Sequence, residues 1–383
     1  MISLRHPVSP LRPAWVEINL AQLRRNLAII RADMPPALKW CSVVKDQAYG
    51  HGAVEMARET VRAGASFLAV ATLDEALELQ QARPGAPILV FGERPQNDLA
   101  LCIENDFLIF VNDITQAKQI NEIAGGQGKR ANIHLEIDTG LSRYGVRWTR
   151  ALPVIEAILQ LDNLQLAGLM THFAMSDELD KTFANEQLRR FEEVVQRLDE
   201  RKIFGAKSIL RHTCNSGGYL DLPKAHFDMV RIGILPLGVY PSKVCRRISG
   251  LLPVMSVKTR LAAIKEIGPG DTVGYGMRYR AESPRTIAVL PLGYGDGFPR
   301  VRNTGYVLIH GRRAPITGGN AMDAMMIDIT DIPATKLWDE VVIMGRQGNE
   351  EISVHDLAAW GGTVSYDIMT RWSARMPRVY TEF

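Results

Sequence analysis

From Trp15 to about Ile234, short β-branched runs alternate with helical patterns, and this alternation constrains the fold more than any other feature of the chain. It is the signature of βα units around a parallel sheet. The candidate strands are Trp15–Leu20, Lys39–Val44, Phe67–Ala71, Pro87–Gly92, Leu108–Asn112, Ile133–Asp138, Leu166–Phe173, Ser208–Asn215 and Met229–Ile234. Several are almost wholly apolar, as strands covered on both faces must be. Between them Leu20, Leu23, Leu27 and Ile30 step by three and four, as do Leu188, Phe191, Val195 and Leu198, marking helices with one buried stripe. Roughly eight such repeats in ~220 residues suit a (β/α)8 barrel better than an open doubly wound sheet. One candidate strand is left over, and the first is expected to sit outside the ring.

After about Leu251 the texture changes to short strands with turn signals: Val257–Ile264, Thr286–Leu290, Tyr306–Ile309, Ala324–Ile329 and Glu340–Gly345. This predicts a separate, mostly β domain. The expected division is a barrel over residues 1–240 and a β domain over 241–383, joined through Gly238–Gly250 with Pro241, Lys243, Arg246 and Arg247.

Composition narrows the function. The 383 residues carry 45 Lys+Arg against 42 Asp+Glu, scattered rather than striped, so no phosphate-backbone footprint is visible and nucleic acid is not an expected partner. Cys41, Cys102, Cys214 and Cys245 form no CxxC pair, which points away from a disulfide framework or a metal site and towards a reducing cytoplasm. The opening stretch is broken by charges and prolines, unlike a signal peptide, and no run approaches the ~18 apolar residues of a membrane span.

The sharpest local feature is Ser42-Val43-Val44-Lys45-Asp46-Gln47-Ala48-Tyr49-Gly50-His51-Gly52. A lysine at the C-terminal end of a buried barrel strand sits where barrel enzymes place catalytic groups. Desolvation there would lower its pKa and favour condensation with an aldehyde, whereas a lysine that only caps the strand would snorkel to water. Gly50 and Gly52 permit close backbone approach to a phosphate or sugar-like group.

This segment resembles the lysine motif of the alanine racemase family, and further resemblances follow in order along nearly the whole chain. They are Leu68–Ala71 with Leu73–Ala76, Asp138-Thr139-Gly140-Leu141-Ser142-Arg143-Tyr144-Gly145, Thr171-His172-Phe173-Ala174, Asn215-Ser216 and Met229–Ile234. In the second domain they are Val273-Gly274-Tyr275-Gly276, Gly293-Tyr294-Gly295-Asp296-Gly297, Met322-Asp323, Tyr366-Asp367 and Pro377–Tyr380.

The resemblance implies a pyridoxal 5'-phosphate enzyme, an amino-acid racemase acting on alanine, assembled as a homodimer with shared active sites. Lys45 would hold the cofactor and act as acid/base on one face of the substrate Cα. Tyr275, from the other subunit, would serve the opposite face. Arg231 would meet the pyridine nitrogen, giving a hydrogen bond but not a proton, with His172 orienting it. Phosphate would be met by Tyr49, Ser216 and Tyr366 and by the amides of Gly233 and Ile234. The substrate carboxylate would meet Arg143 and, from the other subunit, the amide of Met322, with Asp323 beside it.

Three departures bear on substrate choice. Asp46-Gln47 replaces the usual Ala-Asn/Asp, with the Asp46 side chain expected to point away. Glu136 stands where many members carry a carbamylated lysine, and is expected to replace that negative charge and position Arg143. Gly318–Ala321 lacks the common basic residue before Met322-Asp323, which is expected either to open space or to alter the charge at the entrance, and Gly274 replaces serine beside Tyr275. A serine or broad-specificity racemase is the alternative enzyme reading. A decarboxylase on the same framework fits Arg231 poorly, since an acidic partner is expected for its ring nitrogen. A non-catalytic pyridoxal-phosphate carrier would not need the second domain that bears Tyr275.

Overall fold

The structure, a computed structural model, describes residues 13–204 and 209–383. Two compact units are present, one of Arg24–Ala48 and Gly52–Leu251, the other of the described residues up to Leu23 together with Tyr49–His51 and Leu252–Phe383.

The first unit is built on eight parallel strands. With β1 as Ala14–Asn19 in the other unit, these are β2 (Lys39–Val43), β3 (Phe67–Val70), β4 (Ile88–Val90), β5 (Leu108–Val111), β6 (Ala131–Asp138), β7 (Leu164–Met170), β8 (Leu210–His212) and β9 (Met229–Ile232). The ladder runs β9-β2-β3-β4-β5-β6-β7-β8. Between β8 and β9, bonds from Asp228 N to Arg211 O (3.0 Å) and Arg231 N to Cys214 O (2.9 Å) carry the chain round to a nearly closed ring. Ser208, where the seventh ring strand was expected to begin, lies outside the described residues.

Strands β4 and β5 are buried throughout, which is why they read as unbroken apolar runs; β9 is as fully buried but carries Arg231 among its apolar residues. Helix starts follow local chemistry: Asp113 accepts from Gln116 N at 2.8 Å, and Asn215 accepts from Gly218 N at 2.9 Å. Thr72 and Glu75 form a reciprocal capping box at the head of the helix Leu73–Ala82.

In the second unit, β1 lies between Met255–Arg260, antiparallel, and Arg378–Thr381, parallel. The first strand therefore stands outside the ring. The single run expected over Val257–Ile264 is two strands, Met255–Arg260 and Ala263–Ile267. They belong to different sheets because the chain crosses over at Leu261, whose N–H bonds Asp339 O while that of Ala262 bonds Val289 O. Two helices, Val354–Gly361 and Ser365–Arg371, join this otherwise β unit. No helix among the described residues is long and apolar enough to cross a membrane.

Candidate active site

Strand β2 ends by donating Val44 N to Ala69 O at 2.9 Å, and Lys45 follows at its C-terminal end. The next residues turn the wrong way for L-amino acids: Asp46, Gln47, Ala48 and Tyr49 have φ of 54°, 54°, 51° and 53°, and Gly50 continues at 82°. A left-handed turn costs each non-glycine residue about 1–2 kcal/mol, so it persists only where tertiary contacts hold it. Ala48 N bonds Val44 O at 2.9 Å and Gly52 N bonds Gln47 O at 2.7 Å. The Gln47 side chain donates to Glu78 at 2.8 Å and accepts from Ala53 N at 3.3 Å. Asp46 N donates to the Glu75 carboxylate at 2.5 Å.

Lys45 is half-buried, and its amine is held below the usual lysine range by burial first and then by the Arg143 charge. Glu75 and Asp46 pull it back up. The Asp46 side chain is exposed, and its own carboxyl is raised by burial and by Glu75.

Inside the barrel, Arg231 on β9 is buried and committed to five acceptors. Nη1 donates to His212 O (2.8 Å) and His212 Nδ1 (3.0 Å); Nη2 donates to Thr171 O (2.8 Å), Thr213 O (3.2 Å) and His172 Nδ1 (3.3 Å). Because a guanidinium only donates, these contacts fix the imidazoles. His212 must accept at Nδ1 and carry its proton on Nε2, which reaches His134 Nδ1 at 2.9 Å, so His134 in turn carries its proton on Nε2. All three histidines are held below the usual range, by burial and by the Arg231 charge, and stay neutral. Arg231 Nε alone among its nitrogens has no protein partner among the described residues and is open to an acceptor from outside.

After β9, Gly233 N donates to the buried Ser216 Oγ at 3.3 Å, bringing a hydroxyl and the following amides of Gly233 and Ile234 together. Two hydrogen-bonding elements of this kind, a hydroxyl and successive main-chain N–H groups, are the donor chemistry a phosphate requires. The set of an amine with depressed basicity, an Arg231 N–H without a protein acceptor and a hydroxyl–amide cluster fits a phosphorylated pyridine aldehyde.

Glu136 on β6 is 2% exposed, and burial pushes its carboxyl up to about 7 against the pull of Arg231 and, after it, Arg143. No hydrogen bond or ion pair joins it to Arg143 among the described residues. Gly145 instead packs on it: a Cβ there would stand 2.8 Å from Glu136 Cγ, and its φ is +96°. The turn bearing Arg143 is thereby seated on Glu136 through backbone. Asp138 accepts from Gly140 N (2.9 Å) and Ser142 N (3.0 Å), and Arg143 itself is exposed.

The remaining expected residues lie in the other unit. Tyr49 and Tyr366 face each other with ring centroids 6.0 Å apart. Tyr275 is 71% exposed on the loop after Gly274, and a Cβ on Gly274 would stand 2.9 Å from Gly319 N and O. Met322, 53% exposed, accepts from Gly295 N at 2.9 Å. Asp323 bonds Arg375 at 2.5 Å. A Cβ on Gly319 would meet Arg302 Cγ at 3.4 Å, an ordinary van der Waals contact.

Thr171 and Glu75 lay within motifs of the sequence without a role of their own, and His212, Thr213 and Arg375 were not singled out. His212 had a signal, since it ends β8 as His172 follows β7.

Comparison with known proteins bears on the same residues. The family described as "Alanine racemase, N-terminal domain" matches residues 18–241, and "Alanine racemase, C-terminal domain" matches 254–380. "Alanine racemase 2" of Caldanaerobacter subterraneus subsp. tengcongensis is 39% identical over 372 residues, covering 97% of this chain and 95% of that protein. The solved alanine racemase of Clostridium difficile 630 superposes with a TM-score of 0.92 at 35% identity, covering 97% of this chain and 96% of its own. That of Bacillus anthracis, with bound L-Ala-P, gives 0.89 at 34% identity, covering 97% and 96%. With both domain families matched in order and the likeness running nearly end to end, the chain belongs to the alanine racemase family.

Proposed function

We propose that this protein is a pyridoxal-phosphate-dependent racemase that interconverts L- and D-alanine, with Lys45 and Tyr275 as its two proton carriers. The observation that carries this reading is the pairing of a depressed-pKa Lys45 with an Arg231 whose Nη atoms are all committed to the protein. When bound, pyridoxal phosphate supplies an aldehyde that condenses with amines and an electron-withdrawing ring that acidifies the substrate Cα–H.

Ser216 and the amides of Gly233 and Ile234 would hold the phosphate, and the family resemblance adds the Tyr49 and Tyr366 hydroxyls as further donors. Arg231 would donate Nε–H to the ring nitrogen and, as a guanidinium, would keep its proton. His172 and His212 hold that guanidinium in place. The carboxylate of the amino acid would meet Arg143, with Glu136 beneath the Arg143 turn, and the amide of the partner subunit's Met322, with the partner subunit's Asp323 beside it.

Inversion needs a proton removed on one face of Cα and delivered on the other. The Lys45 amine, poorer in protons than a free lysine, works on one face. The Tyr275 phenol of a second copy works on the other, so the active species is a homodimer. In support, Tyr275 is exposed on a loop that also carries Met277, 68% exposed, and large exposed apolar side chains commonly mark a contact surface. The four cysteines are buried free thiols, which suits the cytoplasm.

Chiral analysis of alanine during turnover tests the reading. Lys45→Ala should abolish exchange and the near-visible absorbance, and Tyr275→Phe should lower kcat by about 100-fold or more. Full activity in Tyr275→Phe, or a retained band in Lys45→Ala, contradicts it. Relative kcat/KM over an amino-acid panel separates alanine from serine or broad preference.

A further inference from the structure

The left-handed turn after Lys45 needs an anchor at its first residue, and one side chain supplies it. Glu75 Oε1 accepts from Asp46 N at 2.5 Å, and its Oε2 accepts from Ala71 N at 2.8 Å and Thr72 N at 3.0 Å. One carboxylate thus joins the amide that opens the turn to the two amides that close β3. Its own backbone is fixed from below, since Glu75 N donates to Thr72 Oγ1 at 3.3 Å in the capping box. A glutamate at the third helical position normally serves only its own helix start. Here its second oxygen reaches across 29 residues to a different strand end.

We propose that Glu75 is a positioning residue for Lys45: its carboxylate sets where the amine stands and, by its charge, how tightly that amine holds a proton. The tether acts on the backbone immediately after Lys45, so a displacement of the turn displaces the amine. The charge opposes both burial and Arg143, the two influences that weaken the amine's hold on its proton. Asp46 acts in the same direction but is exposed, and water screens it. This inference rests on the proposed role of Lys45 as proton carrier.

The variants Glu75→Gln and Glu75→Ala separate charge from tether, and Asp74→Asn, an exposed neighbour, removes a charge of the same sign without touching the turn. The first readout is the pH dependence of Lys45 acetylation, followed by peptide mass spectrometry on the full-length protein with and without added pyridoxal phosphate. The second is kcat against KM. Glu75→Gln should move the Lys45 labelling midpoint down by about half a pH unit or more, because the neutral amine is then favoured. Glu75→Ala should do so too and lower kcat by about 10-fold or more, with a smaller change in KM. Asp74→Asn should leave both unchanged.

A wild-type labelling midpoint in both Glu75 variants overturns the proposal, as does an equal shift in Asp74→Asn. Failure of the broader reading looks different: added pyridoxal phosphate would then leave Lys45 labelling in the wild type unaltered, while the Glu75 comparison still reads out.

Discussion

At the scale of single residues, the site depends on burying groups that would rather be solvated and letting geometry fix their protonation. Glu136 is the plainest case. Its carboxyl sits at about 7 in the folded chain against 4.5 as the usual value, so the native state holds a proton that the unfolded state releases. Stability therefore falls as pH rises from about 4.5 to 7, by about 3 kcal/mol in all. Glu136→Gln, which never ionises, should melt higher than the wild type at pH 8 and at the same temperature at pH 4.5. Equal melting temperatures at pH 8 would mean that Glu136 ionises there without cost. If Glu136 seats the Arg143 turn, the same variant should also raise KM with little change in kcat. The sequence singled out Glu136 and Arg143 by place in a motif, yet it expected a charge pair. Burial of one partner and exposure of the other are tertiary facts, and no spacing along the chain encodes them.

At the scale of elements, the legible parts are those where local chemistry and fold agree. Strands β4 and β5 announced themselves by unbroken apolar runs, and the leftover first strand was foreseen from the count alone. The left-handed turn was not, because Asp46–Tyr49 have no intrinsic preference for positive φ and are held there from outside the segment by Glu75, bonded to Asp46 N, and Glu78, bonded to the Gln47 side chain. The two helices in the β unit had a signal that went unread: Ser353 and Asp356 form a capping box at the first of them.

The connection expected at Gly238–Gly250 is tied to the barrel by chemistry of its own. Arg246 holds Asp33 with two bonds of 2.8 Å and donates Nε to Leu220 O at 3.0 Å, while Tyr219 donates to Asp33 at 2.6 Å. These bonds, that from Arg246 foremost, keep the Asp33 carboxyl below its usual range. A partly exposed bidentate pair of this kind contributes about 1–2 kcal/mol. Arg246→Ala should lower stability by that much near neutrality in denaturant titrations. Because the contribution requires ionised Asp33, the gap to wild type should close as pH falls through the carboxylate range. A gap that persists there would assign the effect to lost packing.

At the scale of the whole molecule, the proposed mechanism draws two groups from different copies of the chain, and on that proposal one copy alone could not invert a stereocentre. The domain order, the ring of strands and the lysine motif could all be read from one chain. The partnership could not, since composition and periodicity carry no trace of it and the family resemblance alone implied it. Mixing Lys45→Ala with Tyr275→Phe protein tests it most directly. A mixed dimer places an intact Lys45 and an intact Tyr275 in one of its two sites, so random re-association of two inactive parents should restore about a quarter of wild-type activity. If the mixture stays as inactive as its parents while mass measurement shows that mixed dimers have formed, the two groups do not meet across copies and the two-carrier account is wrong.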